Sequence, residues 1–123
     1  MARASTRAVG QQAEAQALKF LQGQGLRLLD RNFHCRFGEI DLVMRDGDCV
    51  VFVEVRKRTR NKIAAATQSV GRQKQRKLTL AASFYLAGLA TDALPTCRFD
   101  VIGIDTAGSH ASIDWRRNAF QSE

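Results

Sequence analysis

Acidic residues are missing from one long stretch of this sequence. Between Val55 and Thr91 there is none, while Arg56, Lys57, Arg58, Arg60, Lys62, Arg72, Lys74, Arg76 and Lys77 fall there, nine of the chain's 19 basic residues. The net charge is +7, but its concentration says more than its total. Such a segment is the electrostatic footprint expected for a polyanionic partner. A solvated basic loop or an rRNA-binding surface would carry the same charge. Long apolar runs are also missing. The longest uncharged stretch, Leu78 to Thr91, falls short of the roughly 20 apolar residues a membrane span needs, and reads as a core helix. No membrane association is expected. Arg3 and Arg7 are not followed by an apolar segment, so no secretory signal is expected either. Cysteine is scarce: Cys35, Cys49 and Cys97 are odd in number and widely spaced. That excludes a disulfide framework and any familiar zinc spacing, and points to a reduced, cytoplasmic setting with small buried thiols. His34 and His110 have no ligand-type neighbours and read as surface or hydrogen-bonded histidines. No internal repeat or low-complexity tract interrupts the chain. Its 123 residues suffice for one domain, 1–123, with a sizeable core.

Ala8 to Gly23 reads as a first helix, with Val9, Ala13, Ala17 and Phe20 at helical spacing and Gly23 and Gly25 ending it. Glu14, Leu18 and Leu21 share a neighbouring face, so Glu14 sits at the edge of the buried stripe, pointing into a site or into solvent. Leu26 to His34 suits a strand. Gly38 to about Lys57 suits a hairpin, Arg58 to Gln68 a basic loop. Ser69 is a plausible N-cap for a second helix to about Leu89. Its stripe is Val70, Leu78, Ala81, Ala82, Tyr85, Leu86 and Leu89. Four cations in its first two turns oppose the helix dipole, a term that a bound phosphate would reverse. Pro95 marks a loop, Arg98 to Asp105 alternates like a strand, and Ala111 to Trp115 suits a last short one. Tyr85 and Trp115 are expected in the core. The order predicts a mixed α/β domain whose central sheet is flanked by two helices.

The hairpin carries the chemistry. Asp46-Gly47 between alternating stretches is a strong turn signal. A two-residue loop there sets Arg45 opposite Asp48, Glu39 opposite Glu54 and Asp41 opposite Phe52. Asp41 and Glu54 become diagonal neighbours on one face, roughly 7–8 Å apart. The other face is apolar throughout: Ile40, Leu42, Met44, Cys49, Val51, Val53 and Val55. Two unit charges about 4 Å apart repel by about 4 kcal/mol at an effective dielectric near 20. A proton, a cation or Arg56 must offset that. Mg²⁺ suits, because it binds one or two carboxylates, keeps waters and takes further ligands from phosphate. A structural ion pair of Glu54 is the plain alternative.

Gly38-Glu39-Ile40-Asp41-Leu42-Val43 and Val51-Phe52-Val53-Glu54-Val55-Arg56 resemble the YraN-type uncharacterised bacterial protein family. So do Arg31-Asn32-Phe33, Arg98-Phe99-Asp100-Val101-Ile102, Trp115 and Asn118-Ala119-Phe120. That family resembles the restriction-endonuclease-like fold, in the order α-β-β-β-α-β, and within it the archaeal Holliday-junction resolvases. The resemblance implies catalytic groups at Glu14, Asp41, Glu54 and Arg56, with Asp41, Glu54 and Val55 holding Mg²⁺ or Mn²⁺. Arg56 stands where such nucleases usually carry lysine. Arginine can clamp a phosphate but cannot serve as a general base. Lys57 points to the opposite face of an ideal strand and could take that place only across a bulge. Lys57, Arg58, Arg60, Lys62, Arg72 and Lys74 are the candidate nucleic-acid contacts.

Three readings follow. One is a Mg²⁺-dependent endonuclease on branched or structured DNA, with a homodimer suggested by analogy. Another is a non-catalytic nucleic-acid-binding domain that kept the nuclease fold, with Arg56 as the sign of lost catalysis. The third, resting on charge alone, is a basic protein that binds an acidic protein surface.

Overall fold

The computed structural model describes residues 6–58, 70–89, 95–105 and 112–121, without the side chains of 6–10 and of Arg58. Ser69, Arg60, Lys62 and His110 lie outside the described residues, as does the side chain of Val9. The elements run α1 (Thr6–Gly23), β1 (Arg27–Cys35), β2 (Gly38–Asp46), β3 (Cys49–Arg58), α2 (Arg72–Ala87), β4 (Thr96–Asp105) and β5 (Ser112–Phe120). The five strands lie in that order in one sheet, β3 and β4 parallel and the other neighbours antiparallel. Parallel neighbours need a long crossover, and α2 lies within it. The expected mixed sheet with two helices is therefore present. The last strand is longer than expected, running to Phe120.

Period-two patterning splits the sheet between two cores. On one face Leu42, Met44, Val51, Val53, Ile102 and Ile104 pack against Ala13, Ala17 and Leu21 of α1. On the other Val43, Val50, Phe52, Phe99 and Val101 pack against Leu78, Ala81 and Ala82 of α2. The buried stripe of α1 is thus Ala13–Ala17–Leu21, while Phe20 is only half-buried against Trp115 at 5.9 Å. Helix α2 starts later than Ser69 would place it: Gly71 is its N-cap, in extended conformation and without a side-chain cap.

Two expectations about the hairpin change. Asp46 pairs with Cys49, Arg45 with Val50 and Val43 with Phe52. The loop residues are Gly47 and Asp48, with Gly47 at φ +60°. Glycine at the first loop position is what a II′ turn takes. Each partner moves by two residues from the expected register, which preserves parity. The assignment of faces survives, and Asp41 comes level with Glu54 instead of diagonal to it. Ile40, expected beside Leu42, packs instead in the α2-side core with Phe33. The alternation breaks at Asp41, across from Asn32, which adopts φ +52° within β1. Asparagine tolerates that left-handed conformation. It lets the outer part of the β1–β2 ribbon turn over.

Lastly, the three cysteines are free and half-buried rather than fully buried. Burial pushes the Cys49 and Cys97 thiols up, away from the reactive thiolate. Among the described residues no helix is long and apolar enough to cross a membrane.

Candidate active site

The ladder between β2 and β3 ends at Leu42–Val53. Beyond it Asp41 Oδ2 accepts a hydrogen bond from the Val55 backbone N–H at 2.7 Å. A side chain has replaced a backbone carbonyl, and the seam opens at the carboxyl half of β3. A strand residue's N–H and C=O point to the same edge, so the Val55 carbonyl faces this gap as well. In α/β sheets, ligand sites gather outside the carboxyl ends of parallel strands, and β3 is one of the two parallel strands here.

Asp41 and Glu54 line one cavity of about 390 Å³ with Gly38, Glu39, Val55 and Lys74. They are on one side of the sheet, as expected. Glu54 is buried, and its neighbours Val53 and Val55 face the opposite core. Asp41 interacts directly with the Glu54 carboxylate. Burial, the hydrogen bond to Glu54 and its charge push the Asp41 carboxyl up to about 8, against the opposing pull of the Val55 N–H. Near pH 7 the Asp41 carboxyl therefore holds its proton beside the Glu54 charge.

Lys74 was expected to track a nucleic-acid backbone. The structure brings its Nζ to 2.9 Å from Glu54 Oε2. That oxygen is buried and has no aligned hydrogen bond, so the ammonium meets it as an ionic contact only. Reading the sequence alone missed this contact. Lys74 lies 20 residues from Glu54, and only the crossover of α2 over β3 brings them together. Arg56, two residues beyond Glu54, shares its face by alternation, is half-buried, and pairs in register with Gly103 of β4. It is engaged by neighbours rather than free. Lys57 is half-buried and also engaged. Arg58 closes β3 beside Asp105. Arg72 opens α2 and lines a separate cavity with Arg76.

Glu14 reaches the same end of the molecule from α1. Burial raises its carboxyl, while a hydrogen bond to Asn32 and the charge of Arg31 lower it. Its Oε1 is buried without a partner, and its charge is felt by Asp41 and Glu54. The side chain as a whole is half-buried, at the edge of the α1 stripe. The expectation that three acids ring a single ion is not met: among the described residues no three His, Cys, Asp or Glu side chains are close enough to hold a metal. The two-carboxylate set with the Val55 carbonyl does not require a third.

A second polar cluster was legible only as part of the family motif. Asp100, fully buried, accepts from Arg98 Nε at 3.0 Å, Trp115 Nε1 at 2.9 Å and the Asn118 N–H at 2.9 Å. Arg98 also reaches Asp46 at 3.0 Å. The cluster ties β4 to β5 and to the hairpin end. Its acceptors are satisfied, which marks it as structural. His34 is exposed and pairs with Glu39 at 3.3 Å.

Comparison with known proteins agrees with the motifs. The model of the uncharacterised protein family UPF0102 matches residues 13–104. A UPF0102 protein of Pseudomonas putida is 49% identical over 124 residues, covering 98% of this chain and 99% of the relative. One from Stutzerimonas stutzeri is 50% identical, covering 92% and 94%. UPF0102 protein HEAR0176 of Herminiimonas arsenicoxydans is 48% identical, covering 98% and 92%.

Proposed function

The chain belongs to the uncharacterised protein family UPF0102, and we propose that it is a divalent-metal-dependent endonuclease acting on structured or branched DNA. The observation that carries this reading is the Asp41–Glu54 pair, which lines one cavity with Val55 at the opened β2–β3 seam, with the Asp41 carboxyl raised by the crowding. The resemblance to restriction-endonuclease-like proteins and to junction resolvases supports it, as does the acid-free basic segment between Val55 and Thr91.

The donor set fits a hard divalent ion. Two carboxylates repel each other, and Glu54 Oε2 is buried with only an ammonium against it. Asp41, Glu54 and the Val55 carbonyl would hold Mg²⁺ or Mn²⁺, leaving positions for water and phosphate. Such an ion supplies acidity to water and neutralises charge building up on the phosphodiester. The side chains do the rest. The Val55 N–H fixes one Asp41 oxygen. Asp41 would have to be ionised to hold such an ion, so loading would release protons near neutral pH. Arg56 clamps the phosphate as a charged fork, and Lys74 brings a compact ammonium beside Glu54. Glu14 orients water. Lys57, Arg58, Arg60, Lys62 and Arg72 follow the backbone. A homodimer would match the two-fold symmetry of a four-way junction.

Cleavage of junction, flap and single-stranded substrates with Mg²⁺ or Mn²⁺ tests this. Wild-type cleavage that Asp41→Ala abolishes is expected. No cleavage by the wild type, or equal cleavage by Asp41→Ala, overturns it. Arg56 in the lysine position favours a second reading, a nucleic-acid-binding domain without catalysis. Calorimetric titration separates the two: a Mg²⁺ site saturating in the low millimolar range favours the enzyme, and salt-sensitive binding with no metal site favours the binding domain.

A further inference from the structure

Large apolar side chains are normally withdrawn from solvent, yet Phe84 of α2 is 50% exposed and Leu80, one turn earlier, is 42% exposed. Phe84 is not isolated. Phe37, in the β1–β2 turn, meets it edge-on with ring centres 6.3 Å apart, and Phe33 lies at 6.4 Å on the core side. The Arg36 guanidinium sits 4.9 Å above the Phe37 ring. Rings bearing a cation beside them are poor candidates for simple core closure. They are what a base with a phosphate attached would meet.

The cluster lies further along the same two elements that wall the acid pocket. On the hairpin side, Phe37 adjoins Gly38 and Glu39, which line that pocket. On the helix side, Lys74 and Lys77 line it, and Phe84 lies on the same side of α2 at seven residues from Lys77. Ten residues of helix separate Lys74 from Phe84, about 15 Å at 1.5 Å per residue. A stacked strand advances about 3.4 Å per nucleotide, so the track is a few nucleotides long. Glu39, at the outer end of the hairpin wall, is exposed and contacts His34 at 3.3 Å.

We propose that Phe37 and Phe84 form a stacking platform for an unpaired base of a nucleic-acid strand whose backbone follows Lys77 and Lys74 into the Asp41–Glu54 pocket. This rests on the nuclease reading and specifies its substrate: a strand with unpaired nucleotides next to the scissile phosphate, such as a flap or a junction arm. Base-on-ring stacking is sequence-tolerant, because every base has a π-face.

The test measures binding in the presence of a chelator, so cleavage does not intervene. A short single-stranded oligonucleotide carrying 2-aminopurine is titrated against the full chain, with a blunt duplex of equal length alongside. Expected are quenching of 2-aminopurine on binding, about tenfold weaker single-strand binding by Phe84→Leu, and duplex affinity unchanged within about twofold. Phe84→Trp, which keeps an aromatic face, should bind like the wild type, and thermal melts of both variants confirm that they fold. Equal single-strand affinity for Phe84→Leu and wild type overturns the platform. So does parallel loss on both probes, or a dimer that Phe84→Leu splits while single-strand binding persists, which would assign the rings to a seam between two copies. Single-strand preference without cleavage in Mg²⁺ keeps the platform and overturns the nuclease. Cleavage that ignores unpaired bases does the reverse.

Discussion

Replacing Asp41 by asparagine should make the protein more stable at neutral pH while removing its metal site. The Asp41 carboxyl stands at about 8 in the fold, against an ordinary 3.8. A folded value raised above the unfolded one contributes stability that is complete below pH 3.8 and is lost as pH rises to about 8. Four units correspond to roughly 5 kcal/mol. That is an upper limit, since the Lys74 ammonium against Glu54 offsets part of the repulsion. The direct repulsion of two charges about 4 Å apart, about 4 kcal/mol at an effective dielectric near 20, is of the same size. Asparagine keeps an oxygen for the Val55 N–H and offers Glu54 an amide donor in place of the proton. A gain of about 2 kcal/mol at pH 7 is expected, or roughly 6–10 °C in Tm. The gain should shrink steadily as pH falls and vanish only below pH 3.8, where aspartate is protonated in both states. Thermal melts from pH 4 to 8, with and without Mn²⁺, are the assay. The wild type should lose stability across that window and regain it with Mn²⁺. Asp41→Asn should lose less across the window, where the raised Glu14 carboxyl still titrates, and should not respond to Mn²⁺. A lower Tm for Asp41→Asn at pH 7, or the same pH profile as the wild type, refutes the reasoning.

Other outcomes follow from neighbouring contacts. Lys74→Met removes the ammonium from Glu54 and should tighten Mn²⁺ binding several-fold in calorimetry while slowing cleavage. Unchanged or weaker metal affinity contradicts its place beside the site. Asp100→Asn should destabilise by about 3–5 kcal/mol in urea melts, because it strips a buried partner from Arg98; a change under 1 kcal/mol would show that Asp46 alone satisfies the arginine. Gly47→Ala, at φ +60°, should cost about 1–2 kcal/mol, and a neutral result would mean the turn relaxes. Metal loading of the wild type at pH 7 should release close to one proton, read as the dependence of the calorimetric enthalpy on buffer ionisation. No release would show that Asp41 is already ionised.

The two faces of the hairpin were readable from Leu42, Met44, Val51 and Val53 because period two is a local property and survives a register error of even size. The register itself was not. Asp46-Gly47 and Gly47-Asp48 both make two-residue turns, and the choice depends on how the strands dock, which no window of sequence contains. Ile40 was misplaced for a related reason: a single left-handed residue, Asn32, turns the ribbon over. The Glu54–Lys74 contact depends on the α2 crossover and could not be seen from spacing. Nor could the roles within the Asp100 cluster, where Arg98, Trp115 and Asn118 arrive from positions up to 18 residues away. Asp41 and Glu54 were found because one turn joins them, and Glu14 because the family motif pointed there.

The most direct measurement is a crystal soaked in Mn²⁺ and read by anomalous scattering. The expected result is one peak in contact with carboxylate oxygens of both Asp41 and Glu54 and with the Val55 carbonyl, at roughly 2.1 Å, and its disappearance in Asp41→Asn. An empty gap at millimolar Mn²⁺, with Lys74 still against Glu54, would contradict a metal-dependent site.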